Sequence, residues 1–394
     1  MSEQPAALAQ EMAPEIGMPP PEVEAPPDDE RIGGWTTEGI IWAIVGLVFL
    51  AWAIWCFRDN GTAFVALTGA GLAKGAVVAL SALGFVMIIK ATGIANFAQG
   101  DLITLGAFLG FWATDKTGIA KNGLEISLLL GYIVALALMF LIGLLIERVA
   151  YAPLKGRDIH VVVIATLGVA IIIRTLLAIW QGTEPRFLQS WFNTGQNLED
   201  WGPFSNGTFR LSFDIGFLGI HVDDAVIAAQ RIIIMVVTAI VVVLIMLLFA
   251  KTSFGRQVRA IAADRETARL YGVPATRLSM LSFGISAFLA GLAGLMIGPL
   301  GSFDLTVGFT YMLLGFAAVT LGGFTSIPGV VAGGVLIGLT EELFGGLMLP
   351  KLVDTLGGDP GDALKYRATL PFVLMLVVIA VRPQGLFGRI GGRL

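Results

Sequence analysis

Charge is scarce in this chain. Of 394 residues only 14% are charged, against 56% hydrophobic, and mean hydropathy is +0.83. Soluble domains carry about 25% charged residues, and a soluble fold could not hide this many apolar runs of helix length. Cysteine is nearly absent too. Cys56 is alone, inside an apolar run, so no intrachain disulfide can form. The two histidines, His160 and His221, stand isolated at the ends of apolar runs and show no metal-ligand spacing. No G-x-x-x-x-G-K-[ST] occurs, so the chain has no phosphate-cradling loop and no ATPase site of its own. Without a nucleophile elbow or a Ser–His–carboxylate set, there is no case for hydrolysis of a substrate. Neither a resident cofactor nor nucleic acid is expected.

What is present is apolar sequence in long runs, preceded by an acidic tail. Residues 1–38 hold nine acids against the single base Arg31, so the tail carries −8 and the rest of the chain +4. Rich in Pro and Ala, it cannot bury enough apolar surface to offset its ordering entropy and is expected to be disordered. The first apolar run follows it, too late for a signal peptide. Crossing ~30 Å of hydrocarbon at 1.5 Å per residue takes ~20 apolar residues. Candidate spans are 40–57, 64–89, 102–113, 126–146, 159–180, 225–250, 278–298, 309–322, 329–347 and 369–381. The third and eighth are short for a crossing and read as half-helices or re-entrant segments. The expected fold is therefore all-α, a polytopic transmembrane helical bundle of about 9–10 spans with some helices broken. Residues 39–63 would be an extra N-terminal helix and 64–394 the main transmembrane domain, of about eight spans.

Loop charge sets the orientation. Lys155 and Arg157, then Lys251, Arg256, Arg259, Arg265, Arg269 and Arg277, then Arg382, Arg389 and Arg393 fall on one side if every span crosses. The positive-inside rule makes that side cytoplasmic and puts both termini there. The acid-rich loop 181–224, with Trp191 and Trp201, falls outside. Its tryptophans fit an interfacial belt, the alternation over 208–222 fits a small hairpin, and the loop offers a platform for an external partner.

The cytoplasmic connection 251–278 is the most informative stretch. From Gly255 to Tyr271 it has strong helix formers and no proline. Val258, Ile261, Ala262, Arg265, Ala268 and Arg269 recur at three- and four-residue steps. Gly272 suits the left-handed position that ends a helix, and Pro274 prevents continuation. The pattern predicts one short amphipathic helix with a sharp stop, and a membrane-surface helix with snorkelling arginines reads equally well.

Glu266-Thr267-Ala268 followed by Gly272 resembles the EAA…G loop of bacterial ABC importer permeases, with Thr267 where that family usually has Ala. Three further blocks resemble one branch, the "H" permease subunits of branched-chain amino-acid importers. Residues 93–101 (GIANFAQGD) resemble INFAHGD/E, with Gln99 in place of the usual His. Leu321-Gly322-Gly323 with Ile327-Pro328-Gly329 resembles LGG…SIPGA, and 382–388 (RPQGLFG) the C-terminal signature. Residues 256–272 extend the first match. The blocks run in order over about four-fifths of the chain, leaving out the tail and the first span.

The resemblance implies that 251–278 is a coupling loop seated on an ATPase subunit, through Arg259, Asp264, Glu266, Ala268, Arg269 and Gly272. It implies a second, related permease subunit of the "M" type, two ABC ATPases carrying ATP and Mg, a periplasmic substrate-binding protein, and a place in the lipid bilayer of a bacterial inner membrane. Branched-chain amino acids are the implied substrates. Urea, short amides and other small organic acids are taken by related permeases.

Two stretches interrupt apolar runs with polar groups and glycine: Asn96, Gln99, Gly100, Asp101 and Thr104, and then Thr320, Gly322, Gly323, Thr325 and Ser326, followed by Pro328 and Gly329. Broken helices at membrane depth line polar cavities or are buried in protein, which makes these candidates for the substrate pathway. Equally, they read as turns at the cytoplasmic membrane edge, with Gly serving close helix contacts. Glu341 is a further pathway candidate, because intramembrane acids face the bundle interior or pair with a base. Lys74, Lys90 and Arg174 read as snorkelling. An ion-coupled secondary transporter would need a carboxylate relay, for which acids here are sparse. A passive channel would need a filter, and none is evident.

Overall fold

The computed structural model describes residues 31–32, 35–36, 51–116, 125–188, 204–205, 208–215, 220–324, 326–382 and 384–387. The chain divides into two units, Met1–Trp55 and Cys56–Leu394. In the first, β1 (Arg31–Ile32) pairs antiparallel with β2 (Trp35–Thr36), and residues 51–55 are helical. The rest of the acidic tail and most of the first expected span lie outside the described residues.

The second unit is a helical bundle. Its long helices are α1 (Gly61–Thr92), α2 (Gln99–Lys116), α3 (Glu125–Ile146), α4 (Ile159–Gln181), α5 (Ala229–Lys251), α8 (Ala275–Ile297), α9 (Val307–Gly322), α10 (Ile327–Leu339) and α13 (Leu370–Val381). Between α5 and α8 lie α6 (Ser253–Ala263) and α7 (Arg265–Leu270). Between α10 and α13 lie a π-helical segment, Thr340–Met348, and the short helices α11 (Leu349–Thr355) and α12 (Pro360–Lys365). Six of the described helical stretches are long and apolar enough to cross a membrane, and 307–322 and 367–381 are shorter apolar helices. Of the nine expected spans from 64 onward, eight coincide with these stretches; the one at 102–113 falls in α2, which is not among them.

One element breaks the all-α pattern. β3 (Phe204–Ser205), β4 (Thr208–Ile215) and β5 (Ile220–Ala228) form an antiparallel sheet, with Phe213 opposite Val222 and a bulge between Leu211 and Phe213. The alternation over 208–222 is thus a hairpin, and the sixth span starts at Ala229 because Ala225–Ala228 belongs to β5.

α1 and α8 form the centre. They are apolar on all sides and buried over most of their length, as a helix without a polar face must be. α3, α4 and α5 instead expose Leu141, Leu145, Ile164, Ile171, Ile240 and Val243, as lipid-facing helices do. Lipid gives no hydrophobic drive between helices, so close backbone approach through small residues has to hold them together. α1 crosses α10 this way. A Cβ on Gly75 would lie 2.8 Å from Val335 Cα and 2.9 Å from the Gly334 carbonyl, and one on Gly334 would lie 2.8 Å from Ala79 N. Gly106 meets Gly291 between α2 and α8 in the same manner.

α2 starts inside the bundle. Gln99 contacts Gly84 and Ser286. Gly84 is eight residues before the end of α1, and Ser286 is eleven after the start of α8. At 1.5 Å per residue that is roughly 12–16 Å from the end of the bundle that carries α6 and α7. The chain therefore leaves α1 at Gly93 (φ 80°) and turns back inward before helix resumes. α9 also starts within the bundle: Gly308 N–H donates to Thr104 Oγ1 (3.1 Å).

Candidate functional site

The arginine-rich segment is two helices where one was expected. Asp264 takes an extended conformation (φ −156°, ψ 111°) and ends α6. Its carboxylate then caps α7, accepting from the N–H groups of Glu266 (2.9 Å) and Thr267 (3.1 Å) and from the Thr267 hydroxyl. Asp competes with the helix for backbone donors and so favours a cap over an interior position. α7 ends as the sequence predicts. Gly272 sits at φ 80°, its N–H reaches the Arg269 carbonyl (3.0 Å), and Val273 N–H reaches that of Ala268 (3.1 Å), a Schellman pair.

Hydrogen bonds to Asp264, first from the Thr267 hydroxyl and then from backbone N–H groups, hold its carboxyl below its ordinary value of 3.8. The folded form thus prefers the carboxylate. The cap is fully present above the unfolded pKa and is lost as pH falls through the lower folded one. The protection of the Glu266 and Thr267 amides against hydrogen exchange, relative to an unstructured chain at the same pH, is expected to hold at neutral pH and to be lost only below the ordinary carboxyl value of 3.8. Asp264→Ala removes that pH step.

The segment has a bound side and a free side. Val258, Ile261 and Ala268 are buried in the main core cluster. Gly255 abuts the Phe249 carbonyl, to which the Arg259 guanidinium also donates. Arg265 Nη1 lies 3.5 Å from the Thr92 carbonyl at the end of α1. The free side carries Glu266 and Arg269, and it ends in Leu270 and Tyr271, exposed by 88% and 85%. Sequence reasoning passed over this apolar tip, although two large side chains directly before the helix-ending glycine were legible.

A groove of about 680 Å³ runs between the segment and the end of α1, lined by Ile89, Lys90, Ala95, Arg259, Arg265 and Phe324 among others. It touches both interrupted stretches, through Ala95 and Phe324.

Further in, the structure gathers Asn96, Gln99, Asp101 and Thr104, all at most 3% exposed. This cluster is buried within the bundle rather than exposed in a surface turn. Ser286 Oγ lies 2.9 Å from Gln99 Oε1 and 2.8 Å from the Gly84 carbonyl, and a Cβ on Gly84 would overlap the Gln99 amide. Asn96 Oδ1 accepts from Ala98 N–H (3.1 Å), while its Nδ2 has no acceptor. Ser279 and Ser282, buried without partners, share the Ser286 face of α8 at steps of three and four residues. That serine spacing was readable in the sequence and went unused.

Asp101 is paired. Arg174 grips it at Nε–Oδ1 2.8 Å and Nη2–Oδ2 3.2 Å, joining the first turn of α2 to α4. Arg174 therefore does not snorkel. Neither does Lys74, which holds Glu341 (2.6 Å) and Glu342 (3.4 Å), with Arg367 also on Glu342. Glu341 thus lies in an ion network near the middle of the helical stretch 327–355, with Lys74 ten residues along α1 from the Gly84 contact of Gln99. Gly322 and Gly323 serve a close turn: Gly322 abuts the Gly329 backbone and Gly323 has φ 86°. The 384–387 stretch covers this turn, with Leu386 N–H on the Leu321 carbonyl (2.7 Å). Thr325 lies outside the described residues.

A family described as "Branched-chain amino acid transport system / permease component" matches residues 67–379. The permease protein LivH of Salmonella typhimurium is 28% identical, covering 81% of this chain and 94% of its own. BraD of Pseudomonas aeruginosa is 29% identical over the same shares. LivM of Salmonella typhimurium is 26% identical, covering 77% and 66%. A solved structure, PsaBC from Streptococcus pneumoniae in complex with Fab, matches at 14% identity and TM-score 0.32 over 78% of this chain and 90% of that one, too distant to carry an argument. By the extent of the family match, this multi-pass membrane chain belongs to the branched-chain amino-acid transport permease family.

Proposed function

We propose that the chain is a permease subunit of an ATP-binding-cassette importer, carrying branched-chain or closely related amino acids across a bacterial inner membrane. ATP and Mg sit on two separate ATPase subunits. The second permease is a related M-type chain, and the similarity of this chain to LivM supports such a pairing. A periplasmic binding protein delivers substrate. The positive loops support a cytoplasmic position for α6–α7 and for both termini.

One observation carries the reading. The family's coupling motif ends in an exposed apolar tip, Leu270–Tyr271, on a segment whose other face is built into the core and braced on the end of α1. Large exposed apolar side chains beside charge mark a docking surface. A motor pushing on this tip moves Val258, Ile261 and Ala268 as one body, and with them the end of α1. Only the turn 93–98 then separates that movement from the Gln99–Ser286 contact. A packed interface of this kind transmits a rigid-body shift instead of absorbing it.

The ion pairs weigh against an ion-coupled carrier. Asp101, Glu147, Glu341 and Glu342 each hold a basic partner among the described residues, which leaves them poorly placed as a proton relay.

The test is recovery of the ATPase subunits with the purified chain. Leu270→Asp with Tyr271→Ala changes only exposed side chains and is expected to cut recovery by more than tenfold with no change in the chain's own melting temperature. Gly272→Pro, which forbids φ 80° and removes an N–H donor, and Ala268→Glu, which buries a charge, are expected to lose the subunits as well. Undiminished recovery with the surface pair would refute the docking assignment.

A further inference from the structure

We propose that the groove between α1 and the coupling segment is a release-side subsite that holds the departing amino acid by its carboxylate. The proposal rests on the transport reading above and adds a site to it. Three cationic side chains from three helices converge there, Lys90 from α1, Arg259 from α6 and Arg265 from α7, and no carboxylate lines the groove among the described residues. Elsewhere the buried acids and bases of this bundle neutralise one another: Asp101 with Arg174, Glu147 with Lys155, Glu341 with Lys74. Here the two guanidiniums reach backbone carbonyls, of Phe249 and Thr92, so an anion finds net positive charge.

The remaining walls suit the other parts of such a molecule. Ile89, Ala95, Ile261 and Phe324 offer apolar surface for a branched side chain. The last turn of α1, ending at Gly93, leaves carbonyls without intrahelical donors, and a helix C-terminus favours an ammonium group. The volume, about 680 Å³, exceeds what one leucine needs, as an open vestibule should. The groove also lies next to the turn 93–98 that leads to Gln99. Because Arg259 and Arg265 belong to the coupling segment, a molecule bound there opposes movement of that segment, and substrate accumulated on the ATPase side slows the importer.

The experiment uses the whole importer in proteoliposomes with the ATPase subunits facing the added solution. ATP hydrolysis is followed while leucine, leucinamide or 4-methylpentanoate is added on that face. Leucine is expected to inhibit, 4-methylpentanoate to inhibit more weakly, and leucinamide, which lacks the carboxylate, not at all. Lys90→Met and Arg265→Gln are each expected to raise the half-inhibitory leucine concentration on the order of tenfold, the usual worth of one charge-assisted contact. Equal inhibition by leucinamide, no inhibition by leucine, or an unchanged half-inhibitory concentration in both variants overturns the subsite while leaving the transport reading intact. A wild-type assembly without ATP-driven uptake overturns that reading, and the subsite with it.

Discussion

Gly338→Ala is expected to cost about 3 kcal/mol of stability, the upper end for overpacking a close contact. The added methyl group would overlap the Gly71 carbonyl oxygen and the Gly75 amide nitrogen. These are backbone atoms in the middle of α1, which cannot rotate away as a side chain could. α1 and α10 make the most extensive helix contact of the bundle, and in lipid only close packing holds it. Gly338→Leu should leave no folded protein. Gly168→Ala in α4 is the control, because nothing lies within 4 Å of a Cβ there, and it should be neutral or slightly stabilising. Thermal unfolding of the detergent-solubilised chain measures all three. A Gly338→Ala protein that melts with the wild type would show that the crossing does not hold the bundle together.

Arg174→Ala is expected to be nearly as severe, at about 3 kcal/mol, the low end for breaking a buried pair, because the Arg174 side chain is 40% exposed. Its partner Asp101 is only 3% exposed and is left as an uncompensated charge at the start of α2. The cost therefore lies in the stranded carboxylate rather than in a lost attraction. It follows that Asp101→Asn, added to Arg174→Ala, recovers most of the loss. Failure of that rescue would mean that Arg174 acts through its own packing on α4.

Much of this architecture is legible in the residues. The apolar runs place the helices, and the short ones at 102–113 and 309–322 flag helices that start inside the bundle. Gly272 and Pro274 mark the end of α7 through conformational preference alone. What was not legible depends on partners far along the chain. Lys74 and Arg174 look like snorkelling cations until Glu341 and Asp101, 267 and 73 residues away, are brought beside them. The depth of Gln99 follows from the turn at Gly93, and nothing in 93–98 says whether the chain stays at the surface or re-enters. The break at Asp264 is a different case. Asp-x-x-Thr is a legible cap signal, but the favourable helix propensity around it outweighed one residue in the reading. Of the pathway candidates, Asn96, Gln99, Asp101 and Thr104 converge, Gly322 and Gly323 form a turn against Gly329, and Glu341 is paired with Lys74 in a separate ion network.

The central claim is that the α6–α7 tip faces the cytosol and bears against a separate motor. A cysteine in place of Tyr271, in a Cys56→Ala background, reports both parts of it. The account predicts that a membrane-impermeant maleimide labels this cysteine in inside-out vesicles and not in intact cells, and that bound ATPase subunits shield it. Labelling from outside intact cells, or labelling undiminished by the ATPase subunits, would contradict the account.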